Sequence, residues 1–209
     1  MQREPEGSSR TLYTVGHSNH QLEDFFQLLR RFAIRLVVDV RSSPYARYAV
    51  QYNREILESH LRAEGFSYLF LGHVLGGRPD DARFYDAEGY VLYDRLAQWP
   101  PFQEALADVL ARAARFRTVL LCGEEDPSEC HRRRLIGRVA GSRGFQVVHL
   151  RGDGRAESES ELAGAEAFQK TKGQLSLFDT EEEAPWRSTQ SVSRGNRPGS
   201  SSRACEGSE

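Results

Sequence analysis

No stretch of this chain is apolar over the length needed to cross a bilayer. Residues 1–10 are polar and lack the pattern of a secretory leader. The expectation is a cytoplasmic protein with no membrane partner. Cysteine is scarce, with three widely spaced residues, an odd number. That argues against a disulfide framework and fits a reducing compartment. A dominant charge sign is missing too: 28 Lys and Arg against 30 Asp and Glu leave a net charge of −2. Nothing global draws the chain to nucleic acid, so such binding would need a local basic patch. Hydrophobic residues make up 39% of the chain, a low share for a compact enzyme of 209 residues, because the last third is polar. No internal repeat is visible, and the length suits one ordinary domain with appendages.

What is present is an alternation of strand-like and helix-like segments. Residues 11–16 read as a short buried strand ending in Gly16-His17-Ser18. Leu22, Phe25, Phe26, Leu29 and Phe32 follow at helical spacings. Residues 34–40 form an almost unbroken apolar, β-branched run, as expected of a strand covered on both faces. Asn53 stands as N-cap before a helix carrying Ile56, Leu57 and Leu61, which stops at Gly65. Residues 66–71 make a third strand. A helix begins at Pro101 with Phe102, Leu106, Val109 and Leu110 as its stripe. Residues 118–122 are a fourth strand, a helix starts near Cys130, and residues 145–150 are a fifth strand. The pattern predicts an α/β fold, a mainly parallel five-stranded sheet flanked by helices in Rossmann-like layers. Ligands of such folds bind beyond the C-terminal strand ends. The expected organisation is a flexible N-terminus (1–10), an α/β domain (11–152), and an acidic linker with a disordered low-complexity tail (153–209).

Every polar cluster follows a strand. In the densest, Cys122-Gly123-Glu124-Glu125-Asp126 leads to Cys130-His131-Arg132 at a helix N-terminus, where backbone N–H groups and the helix dipole favour anions. Cys130 there, beside His131 and Arg132, reads as a thiol of lowered pKa, a candidate nucleophile, or else as a packed residue in an anion-binding turn. Arg132 is a candidate for a bidentate grip on phosphate or carboxylate. Of Arg133 and Arg134, at least one is expected in solvent. Glu124 is a candidate general base or a loop acid balancing the arginines. Cys122, ending an apolar strand, reads as a small buried residue. His17 reads as an acid–base group or a ring bonded to a nearby carbonyl. Asp39 and Arg41 share a strand face, so Arg41 is either a second cationic grip or half of a structural pair. Gly76 and Gly77 allow close backbone approach to a ligand. The aromatics from Phe84 to Trp99 either stack a base or cover the sheet. Cys122, Cys130 and His131, with His17 as a fourth, offer soft or borderline donors to a metal. Their seven-residue gap matches no common zinc spacing, so no metal and no cofactor is assigned.

Two resemblances complete the reading. In the polar tail, Gln174-Leu175-Ser176-Leu177-Phe178 resembles the pentapeptide by which bacterial replication and repair proteins dock on the DNA sliding clamp. Leu177 and Phe178 suit an apolar pocket, Leu175 a smaller contact, and Gln174 a polar subsite. Over residues 11–152, five ordered marks resemble the domain-of-unknown-function family 488. They are Gly16-His17-Ser18, Asp39-Val40-Arg41, Leu75-Gly76-Gly77, Cys122-Gly123-Glu124 and Cys130-His131-Arg132. That resemblance implies an α/β fold with a site at these marks, and no particular reaction. A weaker similarity to rhodanese-like and phosphatase-like domains lies in Asp39-Val40-Arg41 and the strand–loop–helix at Cys122. The acidic loop 123–129 departs from their electropositive cradle. Together these features lead to an enzyme acting on a nucleotide or nucleic-acid substrate in DNA repair or replication, recruited by the sliding clamp. The alternatives are a clamp-tethered adaptor sensing a small anion, and a small-molecule thiol enzyme unrelated to DNA.

Overall fold

The computed structural model describes residues 10–172 and 185–192. The clamp-like peptide 174–178 lies outside the described residues. Parallel strands β1 (Thr11–Gly16), β2 (Leu36–Asp39), β3 (Ser67–Phe70), β4 (Thr118–Cys122) and β5 (Gln146–Leu150) form the sheet. A sixth strand, β6 (Ala156–Ser158), pairs antiparallel with β5, so the order is β3-β2-β4-β1-β5-β6. The expected α/β layering is observed, with one more strand than expected. Three residues long and with no alternation to mark it, β6 takes its structure from pairing with β5.

The apolar runs are buried where they predict. Val37 and Val38 in β2, and Val119, Leu120 and Leu121 in β4, are fully buried, as strands covered on both faces require. One face is covered by α1 (Leu22–Arg31) and α2 (Arg54–Ala63), through Phe25, Phe26, Leu29, Leu57 and Leu61. The other is covered by α3 (Gly72–Leu75), α4 (Tyr93–Gln98) and α5 (Pro100–Ala113), whose first turn holds Pro100 and Pro101. A π-helical turn (Arg132–Gly137) running into α6 (Arg138–Ser142) joins that face through Leu135, Ile136 and Ala140. Asn53 does precede α2, but its side chain makes no cap. Its Oδ1 instead accepts from the Ala46 N–H at 2.7 Å and closes the loop after β2. Gly65, at φ +82°, ends α2 in the left-handed conformation that glycine adopts cheaply.

The layers also open a crevice. The chain leaves β1 to α1 on one face and leaves the adjacent β4 to the π-turn on the other. That divergence opens a crevice beyond the ends of β1 and β4, the switch point where open α/β sheets take ligands.

Packing continues beyond residue 152, where β6 pairs with β5. α7 (Glu159–Lys172) packs near β5 and β6 through a polar chain. Arg133, only 6% exposed, pairs with Glu159 at 2.9 Å and with Glu166. Glu159 meets His149 Nε2 at 3.0 Å, and His149 Nδ1 meets the Thr14 hydroxyl at 2.8 Å. Arg134 is the exposed arginine of the pair. Within the tail, residues 185–192 form a strap. Trp186 O accepts from Tyr93 N at 2.9 Å, Ser188 N donates to Val91 O at 2.9 Å, and Arg187 pairs with Asp86 at 2.8 Å.

Candidate functional site

Three strand ends make the floor of the crevice. The His17 N–H, just past β1, donates to Cys122 O at 3.0 Å, and the Ser18 N–H to Gly123 O at 2.9 Å. This stitches the β1 turn to the loop after β4. Only glycine fits at position 16, because a Cβ there would stand 1.7 Å from the Glu124 carbonyl oxygen. The His17 ring stacks on Tyr52, with centroids 4.2 Å apart and planes at 15°. Its Nδ1 lies 2.8 Å from Ser18 O and its Nε2 lies 3.0 Å from Arg41 Nη1. The network assigns the proton to Nδ1, leaving Nε2 as acceptor. Burial, then the Arg41 charge, lower the His17 pKa to about 4, so the ring is neutral.

Arg41 follows β2. Its Nε donates to Asp39 Oδ1 at 2.9 Å and its Nη2 to Oδ2 at 2.6 Å, a bidentate fork on a fully buried carboxylate. Tyr68 OH donates to the same carboxylate at 2.8 Å. Burial works against the charge of Arg41, but the Asp39 bonds outweigh it and its pKa rises. With Asp39 and His17 engaged, three of the five guanidinium N–H groups are used, and among the described residues one on each terminal nitrogen is left.

The loop after β4 is held from behind. Arg132, fully buried, donates to Glu124 O, to Glu125 O at 2.7 Å and to Thr14 Oγ1 at 3.2 Å. Glu125 is drawn outward by Arg151, at 2.6 and 3.0 Å. Glu124 is thereby turned over two sulfurs. Its Oε2 accepts from Cys122 Sγ at 2.9 Å and from Cys130 Sγ at 3.3 Å. His131 completes the group, with Nδ1 3.7 Å from Cys122 Sγ and 3.8 Å from Cys130 Sγ. The far nitrogen of that ring, Nε2, lies 3.1 Å from Val40 O, which makes it the donor and leaves Nδ1 facing the thiols.

Each charge in this group depends on its neighbours. The Cys130 hydrogen bond, and then His131, hold the Cys122 thiol down to about 6 against the cost of burial. Burial, with Cys122 beside it, pushes Cys130 up. Burial alone would lower His131, but the Cys122 charge outweighs it and the imidazole rises. Burial also works against the Glu124 charge, yet the Cys122 thiol, its own N–H and the Cys130 thiol bring it down to about 2.

A cavity of about 440 Å³ opens over this floor, lined among others by His17, Arg41, Gly77, Cys122, Glu124 and His131. Its sides carry both charge signs, Arg41 and Arg78 against Asp80, Glu124 and Glu129. Tyr45 and Tyr93 contribute aromatic surface, and the strap contributes Ser188, Thr189 and Gln190.

Several expectations change here. Cys130, read as either a reactive thiol or a packed residue, is 1% exposed behind the cavity with its pKa raised, and Cys122 is the sulfur on the wall. Arg132 was expected to grip an anion, but its guanidinium is spent on two loop carbonyls and a hydroxyl. Asp39 does not line the cavity; it braces Arg41 from beneath. Gly76 makes room for Ser42, whose Oγ would lie 2.3 Å from a Cβ there, and Gly77 makes room for the His131 ring at 2.6 Å. Of the aromatics, Phe84, Tyr85 and Trp99 cover the sheet, whereas Tyr93 reaches the cavity. Cys122 is buried as expected, but its lining of the cavity was not foreseen, nor was the strap. The closely spaced Cys122-Gly123-Glu124 was the available sign for the first; nothing in the polar tail marked the second.

The sequence model of the family described as Domain of unknown function DUF488 matches residues 21–139. That span holds Arg41, Gly77, Cys122, Glu124, Cys130 and His131, and stops short of the His17 turn. No curated protein and no solved structure matches the chain.

Proposed function

The chain belongs to the DUF488 family, whose shared domain carries no assigned reaction, and we propose on the chemistry of its cleft that it is an enzyme acting on a nucleotide or nucleic-acid substrate. The observation that carries this reading is Arg41. A guanidinium fixed by Asp39 and His17, with two N–H groups left over, is preorganised for an anionic oxygen at little cost in side-chain entropy. A phosphate there is the simplest ligand. The cavity volume lies within the range of small-molecule sites, roughly 300–1,000 Å³. Tyr45, 56% exposed, offers a ring for a base, and Glu124 and Glu129 accept from exocyclic amino groups. Cys122, His131 and Glu124 then form the reacting group beside the bound anion. His17 and Asp39 are positioning residues acting through Arg41.

The peptide 174–178 supplies the second half of the proposal: it recruits the enzyme to a sliding clamp through Leu177 and Phe178. Calorimetric titration of the full chain with a nucleoside monophosphate and with a short single-stranded DNA tests the anion site. Arg41→Lys keeps a charge beside Asp39 but loses the fork. It should weaken binding at least tenfold while leaving clamp binding unchanged; Leu177→Ala with Phe178→Ala should do the reverse. Equal affinity of the Arg41→Lys and native chains, or no binding of either probe by the native chain, would refute the anion site.

A further inference from the structure

We infer that Cys122, Cys130 and His131 hold one divalent transition metal of the zinc class, with its fourth position open to the cavity beside Glu124. Among the described residues these three alone form a cluster of potential metal ligands, and their donor atoms lie within 4.8 Å of one another. The sulfur–nitrogen spacing is that of a coordination shell. With Zn–S near 2.3 Å and Zn–N near 2.0–2.1 Å, a tetrahedral metal separates its sulfur and nitrogen ligands by about 3.5 Å. The two sulfur–nitrogen edges here are 3.7 and 3.8 Å.

The surroundings are built to hold that shape. Val40 O accepts from His131 Nε2, which fixes the tautomer that presents Nδ1 to the sulfurs, the usual outer-shell support of a metal-bound histidine. The missing side chain at Gly77 lets the loop close on the same ring. Cys122 ends the central strand β4, Cys130 precedes the π-turn, and both are nearly sealed from solvent. Two thiolates and an imidazole are soft or borderline donors, which select zinc, iron or copper over magnesium or calcium.

Glu124 Oε2, within 3.3 Å of both sulfurs, lies on their cavity side and comes from an exposed loop. Three protein ligands with a solvent-side fourth position are the pattern of a reactive site, whereas a structural one is closed by four. The role of that open position rests on the proposed reading of the cavity; the binding of the metal does not.

The test uses the reduced, chelator-stripped full chain and cobalt(II) as the probe. One equivalent should bind and give the ligand-field and thiolate charge-transfer bands of a tetrahedral site. Two of the chain's three thiols should become protected from a disulfide reagent, and zinc should displace the cobalt. Cys122→Ser and His131→Gln should each lose most of the band intensity with circular dichroism still native. Glu124→Gln should retain one equivalent. Absence of cobalt binding by the native chain overturns the inference, as does an isolated chain two hydrogens lighter with Cys122 joined to Cys130. Complete loss of metal from Glu124→Gln would overturn the open position, because the carboxylate would then be a fourth ligand. A nucleotide titration of the same preparation separates the two readings. Anion binding without metal sinks only the metal site, and metal without anion binding sinks only the function proposed above.

Discussion

Arg132→Met is the perturbation that most sharply tests how the cleft is built. In the structure Arg132 is fully buried and holds the loop after β4 by three donated bonds. Methionine keeps much of the apolar stem and removes every donor. Bonds from a charged donor contribute about 1.5–3 kcal/mol each. Two opposing effects reduce the sum. The Glu124 and Glu125 carbonyls lie in a loop that water can reach, and the variant no longer bears the cost of a buried charge. A net loss of about 3 kcal/mol is expected. For a domain of this size each kcal/mol lowers Tm by roughly 2–4 °C, so the midpoint should fall by roughly 6–12 °C. Thermal and urea unfolding of the full chain measure it. Because Glu124 hangs from the same loop, nucleotide affinity should weaken only as far as the loop loosens. A variant as stable as the native chain that nonetheless binds nucleotide a hundredfold more weakly would refute the reasoning. It would return Arg132 to the anion site that its place in the sequence suggests.

Two further outcomes follow from the floor of the cleft. His17 is held at a pKa of about 4 against 6.5 in an unfolded chain, so the unfolded state takes up the proton first as pH falls. Its contribution is fully present above 6.5 and is lost as pH falls from 6.5 toward 4, a difference of roughly 3 kcal/mol. Unfolding free energies of the native chain and His17→Gln between pH 7.5 and 4.5 should diverge by that order; parallel curves would show that His17 is not the group responsible. At Gly16 an added methyl would meet the backbone carbonyl of Glu124 rather than a movable side chain. Gly16→Ala should therefore cost at least the 1–3 kcal/mol typical of overpacking and loosen the loop that carries Cys122. A soluble variant with native stability would mean that the β1 turn and this loop are not in register as described.

Much of this architecture was legible in the chain. Val37, Val38, Val119, Leu120 and Leu121 announce buried parallel strands because only a sheet covered on both faces needs continuous apolar runs. Phe25, Phe26 and Leu29, like Leu106, Val109 and Leu110, mark their helices by periodicity, which is a local property. The strand-end rule placed His17, Arg41 and Glu124 at one edge before any distance was known. The strand β6 and the strap 185–192 were not legible, because each is held by pairing with distant residues rather than by its own pattern.

Composition and pattern alone thus determined the α/β class, the edge of the sheet at which the cavity opens, and the residue types gathered there. Tertiary structure decided what each residue does. A sequence places Cys130, His131 and Arg132 side by side, but the backbone bend from the loop after β4 into the π-turn sends them in different directions. Cys130 goes behind the wall, His131 onto it, and Arg132 back to the carbonyls of its own loop. It also joins Cys122 to Cys130 and His131 across seven residues through a strand, a loop and a turn. Direction and through-space distance belong to the folded backbone, and no spacing along the chain encodes them.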